Sequence, residues 1–271
     1  MTDSAPWGSV LANFTRNAAH FNRVGPPFYS TFAERLLDLL DPSIGATGLD
    51  VCCGTGAVTL PLARRLGQSG RAIGVDLTPA MLERAVAESE SARLENVEFR
   101  EGDATRLDLP PASFDVVTCG FGIQFMPEPE AAVAHWAGFV KPGGRLGCST
   151  WSEGGFEPMM TLARELLSEF GITSDPWHRR PTAKPDSLIG FARAAGLGEV
   201  ECVEERRSIV FANAADAVHG TPRGRNVLNL IPPEQRDAVR DELISRLTAV
   251  SGTDGLALEM GVLYLTARQA S

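Results

Sequence analysis

The pattern of hydrophobic and polar positions changes at Gly48. Before it, residues 9–40 carry apolar side chains at helical spacing with a break at Gly25-Pro26-Pro27, which predicts two helices. After it, apolar runs over 49–53, 72–76, 97–99, 114–119 and 145–150 predict strands, and amphipathic segments over 57–66, 79–92 and 129–140 predict helices. Strands that alternate with helices in this way are typical of a doubly wound α/β fold with a mostly parallel sheet.

The alternation loosens after residue 155. A helix is predicted over 157–170, and a proline-punctuated loop follows it. The next helix, over 185–195, should end at Gly196, because glycine is common just after a helix. Two long strands are predicted over 199–211 and 256–267, with a mainly helical segment over 213–250 between them.

Composition narrows the class of protein. The 271 residues are 44% hydrophobic and 22% charged, which excludes disordered and fibrous classes. The 34 acidic residues outnumber the 25 basic ones, and no basic run exceeds two residues, so nucleic acid is not the expected partner. No secretion signal or long apolar run is visible, and the cysteines lie mostly in strand-like runs. We therefore expect a soluble cytoplasmic protein with reduced cysteines, no membrane insertion and no metal site.

The strongest motif is the segment LDVCCGTG, residues 49–56, where a strand ends in a glycine turn before a helix. Gly54 and Gly56 permit close backbone approach, and free N–H groups at the start of the helix face the crevice beyond the strand ends. A dinucleotide would fit such a turn. Thr59 stands where the NAD-binding pattern has its third glycine or alanine, which weakens that interpretation.

Two acidic residues follow the next two strands. Asp76 closes the strand over 72–76, where a carboxylate can accept hydrogen bonds from the ribose hydroxyls of an adenosine cofactor. The other interpretation of Asp76 is a helix cap, although Thr78 also suits that position. Asp103, in the segment EGDA, can accept from an adenine amine while the N–H of Ala104 donates to the ring; the alternative is an ordinary aspartate turn.

These motifs, in this order, resemble class I S-adenosylmethionine-dependent methyltransferases, especially the branch similar to ubiquinone and menaquinone C-methyltransferases and natural-product enzymes. The resemblance covers roughly residues 20–151, and includes FDVVTCGFGIQFM and VKPGGRLGCSTW. It implies S-adenosylmethionine as cofactor, with S-adenosylhomocysteine as product. The cofactor-binding residues that it implies are Asp50, Cys52, Gly54, Thr55, Gly56, Asp76, Leu77, Met81, Gly102, Asp103, Ala104, Cys119, Gly120 and Gln124. Cys52 departs from the family, which has a glycine there.

The resemblance also implies a seven-stranded sheet in the order 3-2-1-4-5-7-6 with strand 7 antiparallel. We expect one domain over 1–271. Residues 1–45 would form a helical lid, 46–151 the cofactor-binding half, and 152–271 a substrate-side half with helical insertions at 157–195 and 213–250.

The substrate should lie above the carboxyl ends of the strands. An aromatic and methionine-rich lining suits a small lipophilic or aromatic molecule such as a natural product or quinone. The expected substrate-binding residues are Phe21, Phe28, Tyr29, Phe125, Met126, Trp151 and Phe156, although each could instead belong to the core. His20 and His178 are the candidate general bases, whereas His135, in a helix beside Trp136, is expected to be structural.

Three functions are open at this point. The first is methyl transfer to a small molecule. The second keeps the fold and the cofactor for a non-methylating step, such as a cyclisation in natural-product assembly, because fold does not determine function. The third, NAD-dependent oxidoreduction, is opposed by Thr59 and by the Asp103 motif. The acceptor atom and the oligomeric state, monomer or homodimer, stay open.

Overall fold

A computed structural model of the chain describes residues 7–21, 23–172 and 180–271. Its centre is a seven-stranded sheet in the order β3-β2-β1-β4-β5-β7-β6. The strands are β1 Thr47–Val51, β2 Arg71–Asp76, β3 Val97–Glu101, β4 Phe114–Gly120, β5 Val140–Trp151, β6 Gly198–Phe211 and β7 Leu256–Arg268. Strand β7 pairs antiparallel with β5 and β6, and the other pairs are parallel. The predicted fold class and strand order are confirmed.

Helices cover both faces of this sheet. Their bounds are α1 Gly8–Asn17, α2 Phe28–Leu40, α3 Thr59–Leu66, α4 Pro79–Ser91, α5 Pro129–Ala137, α6 Met159–Glu169, α7 Pro185–Ala194, α8 Ala214–Gly220, α9 Pro222–Leu228 and α10 Arg236–Ala249. No helix in the described ranges has the length and apolar character needed to cross a membrane.

The core forms two layers, one on each face of the sheet. Because successive strand residues point to opposite faces, Val262 and Tyr264 of β7 join one layer while Leu263 and Leu265 join the other. The first layer includes side chains of α2 and α3 and continues into α6, α8 and α10, and the second contains Trp136 of α5 and Leu188 of α7. The helices after β5 are therefore part of the main core.

The structure differs from the prediction at the boundary between α5 and β5 and agrees with it at the end of α7. Helix α5 ends at Ala137 and β5 already begins at Val140, so the helix is shorter and the strand longer than predicted. Gly138 caps the helix, and its N–H donates to the carbonyl of Ala134. Gly196 lies just beyond the end of α7 with φ +80°, as predicted, because a residue without Cβ takes this conformation without strain.

Candidate active site

The loop between β1 and α3 forms one side of the site. Cys52 has φ 58°, and Gly54 and Gly56 have φ 55° and 83°, so three residues of this turn are in the left-handed region. A Cβ added at Gly54 would meet no atom within 4 Å, since this face of the backbone borders open space. At Gly122 an added Cβ would lie 2.4 Å from Cβ of Cys52, so the cysteine fills the room between the two loops.

Asp50 lies behind this loop and does not line the cavity that the loop borders. Its side chain is buried, and its carboxylate accepts from the hydroxyls of Thr59 and Thr118 at 2.6 and 2.8 Å. Burial raises the pKa of Asp50 to about 7, against the lowering effect of these two hydrogen bonds. The structure thus places Asp50 as a tie between β1, α3 and β4, which corrects its predicted direct contact with a cofactor and explains the threonine at position 59.

Asp76, at the end of β2, faces the cavity. Its carboxylate oxygens accept from the backbone N–H groups of Gly54 and Thr78, each at 2.8 Å. Burial raises the pKa of Asp76, and these backbone hydrogen bonds oppose that rise. Each carboxylate oxygen has a further lone-pair direction, so Asp76 can hold the loop in place and still accept a hydroxyl of a ligand.

Asp103 follows β3 and lines the same cavity. One of its oxygens accepts from the N–H and the hydroxyl of Thr105 at 2.9 and 2.7 Å, so the aspartate turn that we considered as an alternative is present. The carbonyl of the next residue, Ala104, accepts from the indole of Trp136 at 2.8 Å. Contact between Asp103 and a cofactor stays a prediction.

A cavity of about 640 Å³ lies above the carboxyl ends of the strands, within the range of roughly 300–1,000 Å³ typical of small-molecule sites. Most of the predicted site residues line it. From the cofactor set these are Cys52, Gly54, Thr55, Asp76, Leu77, Met81, Gly102, Asp103, Ala104 and Gly120, and from the substrate set Phe21, Tyr29, Phe125 and Met126. We call the first group the strand-end wall.

Other predicted residues lie behind the cavity surface. Cys119, Phe28, Trp151 and Phe156 are fully or almost fully buried, and the three aromatic side chains pack in one cluster whose closest rings, Trp151 and Phe156, are 4.7 Å apart. Gly56 borders a smaller depression on another side of its loop. The amide of Gln124 donates to the carbonyl of Phe121 at 3.0 Å and shapes its own turn. Their predicted ligand contacts are corrected to supporting positions, because the pattern of aromatic residues does not show which of them reach the surface.

The histidines supply no base on the described cavity surface. His20 is exposed and does not line the cavity, so its expected role is not supported by its placement. His178 lies outside the described residues. His135 is structural: its Nε2 accepts from the backbone N–H of Leu107 at 2.9 Å, and burial lowers its pKa.

One part of the cavity lining comes from the expected lid and insertions, but its residues were not among the predicted site residues. Side chains of α1, of the α9 region and of the start of α10 form it, together with Arg180. The missed residues include Trp7, Val10, Leu11, Phe14, Arg16, Arg180, Arg225, Asn226, Asn229 and Arg236. No local motif marks them, because they meet only when α1, the loop before α7 and the helices after β6 pack over the strand ends.

Known proteins match the sequence of this chain. A family model described as "Methyltransferase domain" matches residues 49–144, which include the glycine turn, Asp76 and Asp103. Nocamycin O-methyltransferase of Saccharothrix syringae is 31% identical over 271 residues, covering 94% of this chain and 96% of that protein. The chain belongs to the class I S-adenosylmethionine-dependent methyltransferases. The methyltransferase therefore uses S-adenosylmethionine as its cofactor.

Two further relatives match a shorter stretch of the methyltransferase. Aklanonic acid methyltransferase of Streptomyces sp. (strain C5) is 32% identical over 54% of this chain and 66% of its own length. Demethylmenaquinone methyltransferase of Lactobacillus johnsonii is 32% identical over 54% of this chain and 62% of its own length.

Solved structures share the fold of the methyltransferase. A candidate methyltransferase of Bacillus halodurans has a TM-score of 0.61 at 19% identity, covering 89% of this chain and 100% of its own. The [4+2]-cyclase SpnF has a TM-score of 0.56 at 21% identity, covering 89% of this chain and 81% of its own. At these identities the likeness extends to the fold alone.

The residues of the strand-end wall fit the cofactor. The open face of Gly54 leaves room for a ligand against the backbone, and the carboxylate of Asp76 has acceptor capacity for ribose hydroxyls. The acidic side chains of Asp76 and Asp103 also suit a cationic ligand. When bound, S-adenosylmethionine supplies an activated methyl group, and the chain supplies its position.

Proposed function

We propose that this methyltransferase acts on a small, lipophilic or aromatic substrate of the natural-product or quinone type, held in the cavity above the strand ends. The observation that supports the proposal is an aromatic surface facing the strand-end wall. Phe14 packs edge-on to Phe125 with ring centroids 5.3 Å apart, and Phe21 stacks on Tyr29 at 5.1 Å. These rings join α1 and α2 to the loop after β4 and provide an aromatic surface for a conjugated molecule.

The relatives are consistent with this substrate class. One is an O-methyltransferase of nocamycin, one acts on aklanonic acid and one on demethylmenaquinone. The acceptor atom is left open by this proposal, as is the role of a general base.

Transfer of label tests the proposal. The protein is incubated with methyl-labelled S-adenosylmethionine and a panel of polycyclic aromatic, quinone and polar aliphatic compounds, and the products are analysed by mass spectrometry. We expect label in at least one product that the panel yields only with the protein. A product formed without label would instead favour the non-methylating alternative, and label transferred only to polar aliphatic compounds would contradict the proposed class.

A further inference from the structure

One part of the cavity lining is cationic, although the whole chain has a net charge of −9. Arg180, Arg225 and Arg236 form it, and we call these three residues the arginine wall. Arg16 of α1 adds a fourth guanidinium at the exposed rim. Like charges in one partly desolvated cavity repel each other, so this arrangement needs a compensating negative charge.

The described residues do not supply that charge to the arginine wall. No carboxylate in the part of the chain that the structure describes lies within ion-pair distance of Arg180, Arg225 or Arg236, although many other arginines have such partners. Arg225 is half-buried, and its burial lowers its pKa. A guanidinium that has lost water and gained no counter-ion is poised to bind an anion.

Each guanidinium of the arginine wall is held by one backbone carbonyl. Arg225 donates to His219 at 2.6 Å, Arg180 to Gln124 at 2.8 Å, and Arg236 to Ile231 at 2.9 Å. A guanidinium has five N–H donors, so each keeps several for a ligand after this single bond. The carbonyls therefore orient the three guanidinium groups before a ligand binds, which reduces the side-chain entropy lost when an anion binds.

The surroundings of Arg225 favour an anion attached to a flat apolar skeleton. Arg225 lies near the hydroxyl end of Tyr29, whose pKa is raised by burial so that the phenol stays protonated and can donate. The Tyr29 ring stacks on Phe21, which continues the aromatic surface. Asn226 and Asn229 add amide groups beside the arginine wall.

We propose that the arginine wall binds an anionic oxygen group, a carboxylate or a phosphate, on the substrate of this methyltransferase, with Arg225 and Arg236 as specificity-determining residues. This inference rests on the proposed function, because it names the substrate class of the same cavity. It assigns to the arginine wall the recognition of charge, and to the aromatic surface the recognition of the carbon skeleton.

Binding of three naphthalene probes of similar shape tests the proposal. Calorimetry measures the affinity of the full chain, saturated with S-adenosylhomocysteine, for 2-naphthoate, 2-naphthyl phosphate and the neutral 2-naphthamide. We expect at least one of the two acids to bind at least about ten-fold more tightly than the amide, as charge-assisted hydrogen bonds imply. The tighter acid identifies the kind of anion. Equal binding of the acids and the amide, or no binding of the acids, would overturn the proposal.

Variants locate the effect. Arg225→Met should reduce the preference for the acid by about ten-fold, and Arg225→Lys should keep part of it because the charge remains. Arg240→Met is the matched control: this arginine is on α10 but pairs with Asp237 and Asp241 and does not line the cavity. An equal loss in Arg240→Met would contradict the proposal.

Cofactor binding separates this inference from the proposed function. Affinity for S-adenosylhomocysteine, measured without a probe, should change less than two-fold in Arg225→Met. If it falls as much as acid binding does, the arginines serve the carboxylate of the cofactor and the inference is wrong. If the cofactor binds normally and label reaches a neutral substrate without any preference for acids, the proposed function stands and only the inference fails.

Discussion

The strand-end wall and the arginine wall enclose one cavity but are built in different ways. In the strand-end wall the carboxyl ends of neighbouring parallel strands bring Gly54, Asp76 and Asp103 together, although these residues are far apart in the chain. In the arginine wall, side chains from the loop before α7, from α9 and from the first residue of α10 meet only through tertiary packing. The first wall follows from topology, and the second depends on how two segments after β5 pack over the strand ends.

The two walls also differ in charge. Asp76 and Asp103 give the strand-end wall negative charge, and Arg225 and Arg236 give the arginine wall positive charge. A cavity divided in this way orients two ligands of opposite charge toward each other without a separate positioning element. The net charge of the chain is negative, and this value predicts the local charge of neither wall.

The largest effect that should separate the walls is on cofactor affinity. Asp76→Ala removes a carboxylate that holds Gly54 and Thr78, so we expect binding of S-adenosylhomocysteine to weaken by about 1–3 kcal/mol. Calorimetry measures this change. Asp108→Ala, at an exposed aspartate that does not line the cavity, is the control and should bind normally. Unchanged affinity in Asp76→Ala would remove this residue from the cofactor site.

A second effect concerns pH and belongs to the strand-end side alone. The pKa of Asp50 is about 7 in the folded protein, above its ordinary value of 3.8, so the folded state binds a proton that the unfolded state lacks. Its contribution to stability is therefore complete below pH 4 and is lost as the pH rises through 7. Between pH 7 and pH 5 the free energy of unfolding of the wild type should rise by about 2 kcal/mol relative to Asp50→Asn.

Urea unfolding at several pH values measures this difference. The comparison with Asp50→Asn cancels the contributions of the other titrating groups. Parallel pH profiles for the two proteins would mean that Asp50 is ionised in the folded state at pH 5 as well as at pH 7.

The smallest expected effect is that of restoring a glycine at position 52. Cys52→Gly removes the strain of a left-handed conformation, which is about 1–2 kcal/mol. It lowers the free energy of unfolding by a similar amount, because the unfolded chain gains entropy and the packing against Gly122 is lost. We expect thermal unfolding to give a net change within about 1 kcal/mol. Cys202→Ala, at a half-buried thiol in β6, serves as the control. A loss well above 2 kcal/mol would show that the thiol itself holds the loop.

The sequence predicted the fold and the strand-end wall for a common physical reason. Alternating apolar runs determine which segments become strands, and parallel pairing then brings residues such as Gly54 and Asp76 to one edge. The glycine turn and the acidic strand end are local signals, so a reader of the sequence can find them. Tyr29 and Phe125 were expected near the substrate from the family resemblance, and both line the cavity.

The rest depended on information that no local pattern carries. Trp151 and Phe156 are as hydrophobic as Phe125, but only the packing of α2 and α6 buries them. The side chain of Gln124 points back to its own loop, where its amide donates to the carbonyl of Phe121. Arg225 and Arg236 lie in a helical segment whose apolar residues show no clear periodicity. Their position on the cavity surface follows from the path of the chain between β6 and β7.

That path has a consequence for how such an enzyme can change. Phe211, at the end of β6, pairs directly with Leu256, at the start of β7, so the 44 residues between them leave and re-enter the sheet at one point. Substitutions within this stretch can therefore change the cavity lining without altering the strand register or the glycine turn, provided that the side chains it gives to the core still pack. Evolution can thus exchange what the enzyme recognises while inheriting intact the machinery that holds the methyl donor.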